Sequence, residues 1–309
     1  MKFIWEKKGM LFDSNVTPKW AKTSMLTPTP FLLNEKIIRI YGSFRDEKGI
    51  GRIGYIDVEK DNPKNILKIS EHIVLDIGRD GCFDDNGIIL GDIIMKDERL
   101  YMYYIGFQLV NKAKFLAFTG LAFSDDGGET FERIKDAPVL DRDVNANMIN
   151  AVHTSLKDEE GYKIYHAKGD GWEIINGVPY PQYNIWVSTS KDGIQIEKDS
   201  KLCIDNKGLE YRIGRPSVYR VANQYLMFYT KGSKTGKDYY PGIALSNNGV
   251  DWHRHDELFN IKLSENGWDS EHIAYPRLLK VESNKYYVFY NGNNMGSQGT
   301  GYAELVIEE

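Results

Sequence analysis

The feature that most constrains this chain is a unit that recurs five times along its 309 residues. Each copy reads as an apolar strand, a short polar turn and a second strand rich in aromatics, at 31–41, 92–104, 154–165, 217–229 and 277–290. The tyrosines closing these pairs, Tyr41, Tyr104, Tyr165, Tyr229 and Tyr290, lie 63, 61, 64 and 61 residues apart. A third strand follows in every copy, at 51–57, 119–123, 183–187, 242–245 and 301–306. In three copies it runs into a similar turn, beginning Ser124-Asp-Asp-Gly-Gly, Ser190-Lys-Asp-Gly and Ser246-Asn-Asn-Gly. There Gly supplies positive φ and Asp or Asn ties the turn to its own backbone, so a fourth, outer strand is expected.

A repeated meander cannot bury its apolar faces alone and must stack on its neighbours. Five four-stranded antiparallel meanders predict an all-β chain, a five-bladed β-propeller in which radial closure protects the strand edges. The repeats fill 1–309, which predicts a single domain. The fifth copy stops near its third strand, so residues 3–12 are expected to supply its outer strand and close the ring. An aromatic content of 13%, with 20 Tyr and 29 Gly, suits short strands joined by tight turns.

Net charge is −5, from 39 Lys and Arg against 44 Asp and Glu, which gives no electrostatic ground for a nucleic-acid or anionic-membrane partner. Cys82 and Cys203 are too few for a disulfide scaffold or a four-thiolate zinc site, and no cofactor or metal is called for. The N-terminal residues carry charges where a secretory signal needs an apolar run, and no stretch is long enough for a membrane span; a cytoplasmic location is the expectation.

In a propeller the first strands line the axis, so residues just before them and just after the second strands gather at one mouth of the channel. Glycosidic chemistry needs a carboxyl group to protonate a leaving oxygen and usually a second carboxylate. Asp84 or Asp85, Glu210, and Asp269 or Glu271 stand at such positions; Asp84 and Asp269 also read as ordinary turn caps. Arg45, Arg212, Arg215 and Lys231 would serve a phosphate or carboxylate on a ligand, or pair internally with neighbouring acids. His153, His166 and His272 are candidate proton carriers or structural hydrogen-bonding groups, without metal-ligand spacing. Asn291 completes the set, and Trp172, Trp268 and Tyr275 could stack on a sugar or pack between blades.

Phe83-Asp-Asp-Asn-Gly87, Gly120-Leu-Ala-Phe-Ser124, Gly214-Arg-Pro-Ser217, Gly267-Trp-Asp-Ser270 and Tyr290-Asn-Gly-Asn293 resemble motifs of the five-bladed propeller superfamily of glycoside hydrolase families 32, 43, 62, 68 and 130. The likeness covers nearly the whole chain and looks narrowest to a branch associated with bacterial surface-polysaccharide biosynthesis. It implies Asp85 or Asp84 at the second-blade acid position and Glu210 near the general acid. One departure stands out: where families 32 and 43 carry a first-blade Asp, this chain has Thr27-Pro-Thr-Pro30. A second acid would then come from Asp269 or Glu271, or the basic cluster would serve a phosphate as in family 130.

The resulting expectation is an enzyme that makes or breaks a glycosidic bond, a hydrolase or phosphorylase. Asp85, Glu210 and Asp269 would be catalytic, and the ligand a carbohydrate or sugar phosphate. Two alternatives stand beside it: a polysaccharide-tailoring transferase acting on a nucleotide-activated sugar, and a non-catalytic sugar-binding propeller.

Overall fold

The computed structural model describes residues 1–235 and 239–308. Strand β1 (Lys2–Phe12) precedes the first meander, β2 (Leu26–Leu32), β3 (Ile37–Arg45), β4 (Gly51–Glu59) and β5 (Ile66–Ile69). The second is β6 (Ile88–Lys96), β7 (Arg99–Gln108), β8 (Leu116–Ser124) and β9 (Glu132–Arg133). The third is β10 (Ile149–Asp158), β11 (Gly161–Ile175), β12 (Val178–Ser190) and β13 (Ser200–Ile204). The fourth comprises β14 (Glu210–Val221), β15 (Gln224–Ser233), β16 (Tyr239–Ser246) and β17 (His253–Arg254). The chain ends on β18 (Ala274–Lys280), β19 (Lys285–Asn291) and β20 (Thr300–Glu308). Among the described residues there is no α-helix, only 3-10 turns at Asp256–Leu258 and Asn294–Gly296, and no helix is long and apolar enough to cross a membrane.

The strands form two four-stranded sheets, β2-β3-β4-β5 and β1-β20-β19-β18, and one twelve-stranded sheet. The large sheet resolves into three antiparallel runs, β6–β9, β10–β13 and β14–β17. These are joined only where neighbouring runs touch in parallel, at Ile149 with Ala117, Asn150 with Phe118, and Tyr183 with Arg212. The N-terminal strand pairs antiparallel with β20 from Lys2 opposite Glu308 to Phe12 opposite Thr300, as expected from the incomplete last repeat.

Apolar cores lie between runs. Tyr41, Ile53 and Tyr55 pack against Ile88, Leu90 and Met102; Tyr103 and Leu121 against Val152 and Ile164; Tyr165 and Ile185 against Val218 and Met227. Phe228 and Ile243 pack against Leu278 and Val288, and Tyr287 and Phe289 return to Ile38, Ile40 and Phe44 of the first run. Around the centre β2, β6, β10, β14 and β18 touch in succession, and β18 touches β2.

The Ser-Asp turns fasten these layers. Asp126 accepts from the Glu129 and Thr130 amides and Ser124 Oγ from the Gly128 amide; Asp192 with Ser190, and Asn248 with Ser246, repeat the arrangement. Each shaped turn presents a glycine carbonyl to the preceding run: Tyr41 donates to Gly128 O at 2.9 Å, Tyr103 to Gly193 O, and Tyr165 to Gly249 O at 2.9 Å.

Candidate functional site

Every central strand breaks register at the same level. The shifts fall between Leu26 and Thr29, Leu90 and Asp92, Val152 and Thr154, Gly214 and Ser217, and Ala274 and Arg277. A β-bulge re-aims the side chain it carries. Thr27, Arg215 and Tyr275 take φ of 57° there. Each precedes a proline, which disfavours the right-handed helical region without favouring the left-handed one, so the strained form is held by the surrounding packing.

Above the bulges lies a cavity of about 400 Å³, a size typical of small-molecule sites. All five runs contribute to it. Ile88, Ile105, Phe107, Phe115 and Ile149 make an apolar wall; Arg45, Lys114, His153, Arg212, Arg215, Tyr180, Tyr183, Tyr239 and Tyr275 make a basic and phenolic one. Among the described residues no carboxylate lines this cavity. The floor is a guanidinium layer. Arg215 Nη1 donates to Leu90 O at 2.7 Å, while Arg277 donates to Gly91 O and His153 O and approaches Asp92 Oδ1 at 3.4 Å.

Arg212 is surrounded by aromatic faces, with its guanidinium 4.4 Å from the Tyr239 ring centre and 5.1 Å from that of Tyr211. Its Nε is buried without a hydrogen-bond partner. Burial acts against its charge, yet the neighbouring phenols Tyr183 and Tyr239 outweigh this and hold its pKa above the ordinary value. Burial pulls Arg215 down to about 10, which leaves it charged at neutral pH. Among the described residues, Arg45, Lys114, Arg212 and Arg215 have no carboxylate within ion-pairing distance. His153 is 5% exposed, and its imidazole is held neutral by burial, reinforced by Arg215, Arg277 and His166.

Of the residues singled out in the sequence, Arg45, His153, Arg212, Arg215 and Tyr275 therefore meet in one place. The expected acids do not. Asp84 is fully buried and bound to Arg133 at 2.7 Å. Asp85 accepts from the Gly81 amide at 2.9 Å and from Asn86, serving its own turn. Asp269 is fully buried against Lys7 of β1 at 2.6 Å. Glu210 makes a bidentate pair with Arg254 at 2.7 and 2.8 Å. Burial raises its pKa, but Arg254 outweighs that and holds it below the ordinary carboxylate range, the opposite of what a proton donor requires. Glu210 lines a second, more polar cavity of about 320 Å³, with Lys168, Asp170 and Trp186, on the other side of Tyr183.

The remaining candidates lie outside the cavity lining. His166 is buried between Asn150 Oδ1 at 2.9 Å and Ser188 Oγ at 3.1 Å, and Lys231 pairs with Asp256 at 2.5 Å. Asn291 bonds the Thr27 amide, Met25 O and Thr300 Oγ1, tying β19 to the chain leading into β2. The Glu271 and His272 amides donate to Asn293 Oδ1, and the His272 ring stands against Tyr239. Trp268 stacks on Tyr290, and Trp172 meets Phe115 edge to face. Lys114, Tyr180, Tyr183 and Tyr239 line the cavity without having stood out in the sequence. The X-Pro pairs at Thr27, Arg215 and Tyr275 are the signal that marks the bulges from sequence.

No family model matches the chain. A curated relative from Mycobacterium tuberculosis, "Uncharacterized protein Rv1502", is 29% identical over 304 residues, covering 97% of this chain and 99% of its own. Among solved structures, a thermostable family-43 glycoside hydrolase superposes with a TM-score of 0.68 at 19% identity, covering 96% of this chain and 92% of that one. BT0996, solved as an RGII complex, gives 0.72 at 17%, covering 98% and 92%, and a GH130 protein 0.68 at 13%, covering 98% and 94%. The fold is that of the propeller glycoside hydrolases of families 43 and 130. The narrower likeness to a polysaccharide-biosynthesis branch finds no support among these relatives.

Proposed function

We propose that the chain is a five-bladed propeller of four-stranded blades, its ring closed by β1. Its axial cavity binds an anionic carbohydrate, a sugar phosphate or a sugar acid, in the service of phosphorylase-like chemistry at a glycosidic bond. One observation carries the ligand reading. Among the described residues, four cations without carboxylate partners face a cavity that no described carboxylate lines, and desolvating the two inner ones, Arg212 and Arg215, is costly without an anion to pair with. The apolar wall opposite would take the less polar face of a sugar ring. Reaction at a glycosidic bond rests on the likeness of fold to glycoside hydrolases, which is analogy.

Calorimetry with sugar 1-phosphates, uronic acids and their neutral parents tests the ligand. The anionic members are expected to bind at least tenfold more tightly than the neutral ones, and Arg212→Met to remove that preference. Equal binding of neutral sugars defeats the reading. Incubation with an oligosaccharide panel, with and without inorganic phosphate, tests the reaction; phosphorolysis is expected to release a sugar phosphate only when phosphate is present.

A second reading, a sugar-binding propeller without catalysis, is favoured by the locking of Asp84, Glu210 and Asp269 into ion pairs. Binding with no product under any acceptor condition would select it.

A further inference from the structure

Among the almost wholly buried polar side chains of the central strands, His153, Thr27 and Ser155 lack partners, and of these only His153 lines the cavity. Asn150, His166, Thr154 and Arg277 all have hydrogen-bonding partners for their side chains. The His153 imidazole has none among the described residues, although the side chain is almost wholly buried. Buried polar groups are paired as a rule, and each exception calls for a reason. The register break between Val152 and Thr154 places this residue on the cavity wall, and Nδ1 is buried. Nε2, which is not among the buried unpaired atoms, is the nitrogen left for a ligand.

We infer that His153 binds the carbohydrate directly, through a hydrogen bond between Nε2 and a hydroxyl of the sugar at the cavity floor, while the anionic group is held apart from it at Arg212. The inference rests on the reading of the cavity as an anionic-sugar site. The surroundings keep the ring neutral. Arg215 of β14 and Arg277 of β18 face the ring, with His166 on β11 behind it and Asp92 on β6 occupied by Arg277 and the Ser155 amide. Beside two guanidinium groups the ring stays uncharged, and Nε2 is left to bond a sugar hydroxyl, which accepts or donates as the tautomer requires. An uncharged ring adds no affinity for a bare anion's charge. It adds affinity for a sugar oxygen that must otherwise give up water, so His153 separates sugar phosphates from phosphate itself.

Calorimetry at pH 7.5 with α-glucose 1-phosphate, glucuronate and inorganic phosphate tests this on the full chain. His153→Phe is expected to weaken both sugar anions at least tenfold and leave inorganic phosphate within twofold, with His153→Gln recovering part of the loss. Wild-type affinity for the sugar anions in a folded His153→Phe protein overturns the inference, as does an equal loss of all three probes. Should His153→Phe fail to fold, ¹⁵N spectra of the wild-type imidazoles decide. Saturation with glucose 1-phosphate moves the His153 Nε2 resonance if the inference holds, and an unmoved resonance at saturation overturns it. Absence of binding by all three probes to the wild-type chain defeats the underlying ligand reading instead.

Discussion

Two histidines one strand apart show how little a residue type says without its partners. His166 is enclosed by Asn150 and Ser188, and burial, with Lys168 beside it, lowers its pKa to about 3. The folded protein therefore binds no proton there between about pH 6.5 and 3, while the unfolded chain does, so stability falls as pH falls through that window. Each such histidine contributes a slope of about 1.4 kcal/mol per pH unit. Thermal unfolding from pH 7 to 4.5 is expected to show a shallower decline for His166→Gln than for the wild type; identical slopes would count against the assignment. The acids carry the same lesson. Asp84, Glu210 and Asp269 stand where the repeat puts residues near the mouth, and that much was legible. Arg133, Arg254 and Lys7 neutralise them, and these are 49, 44 and 262 residues away in the chain, beyond what spacing reveals.

At the scale of the strand, the repeat could be read because alternation and turn chemistry are local. Its finer structure could not. The tyrosine spacings of 63, 61, 64 and 61 mix two sets of side chains. Tyr41, Tyr103 and Tyr165, evenly 62 apart, reach the next run's turn, whereas Tyr229 and Tyr290 point to Asp256 and Asp269. Adjacent positions of a strand face opposite sides, so an offset of one residue exchanges these roles. The apolar pattern hid the bulges for a related reason, since an extra residue leaves no mark on a pattern this short, and only the X-Pro pairs at Thr27, Arg215 and Tyr275 betray three of them. Gly91 occupies one of them, where an added Cβ would stand 2.5 Å from the Val152 carbonyl oxygen and 2.9 Å from that of Tyr103. Backbone atoms yield poorly, so Gly91→Ala is expected to cost about 1–3 kcal/mol. Urea unfolding measures it, and an unchanged midpoint would show that the two strands are free to move apart.

For the molecule as a whole, all-β architecture and the pairing of N-terminal strand with the last repeat were visible in the sequence because five copies leave one outer strand missing. The contents of the cavity were not, because its lining is drawn from all five runs and depends on which side chains the bulges turn inward. Strand β1 contributes Phe12 to one apolar core and packs Phe3 and Trp5 against another. Its Lys7 neutralises Asp269. Removing residues 1–12 is expected to lower the unfolding temperature by well over 10 °C and to expose dye-binding apolar surface; a cooperative transition at the wild-type temperature would show that the seam does not hold the molecule shut.

That seam also sets an order of events during synthesis. Ribosomes deliver β1 long before β20 exists, and until then one edge of the first segment, with Phe3 and Trp5 on it, has no mate. The nascent polypeptide must carry this adhesive ribbon unsatisfied until β20 emerges. A holdase that shields short amphipathic strands, or slow synthesis of the last repeat, would bear directly on yield.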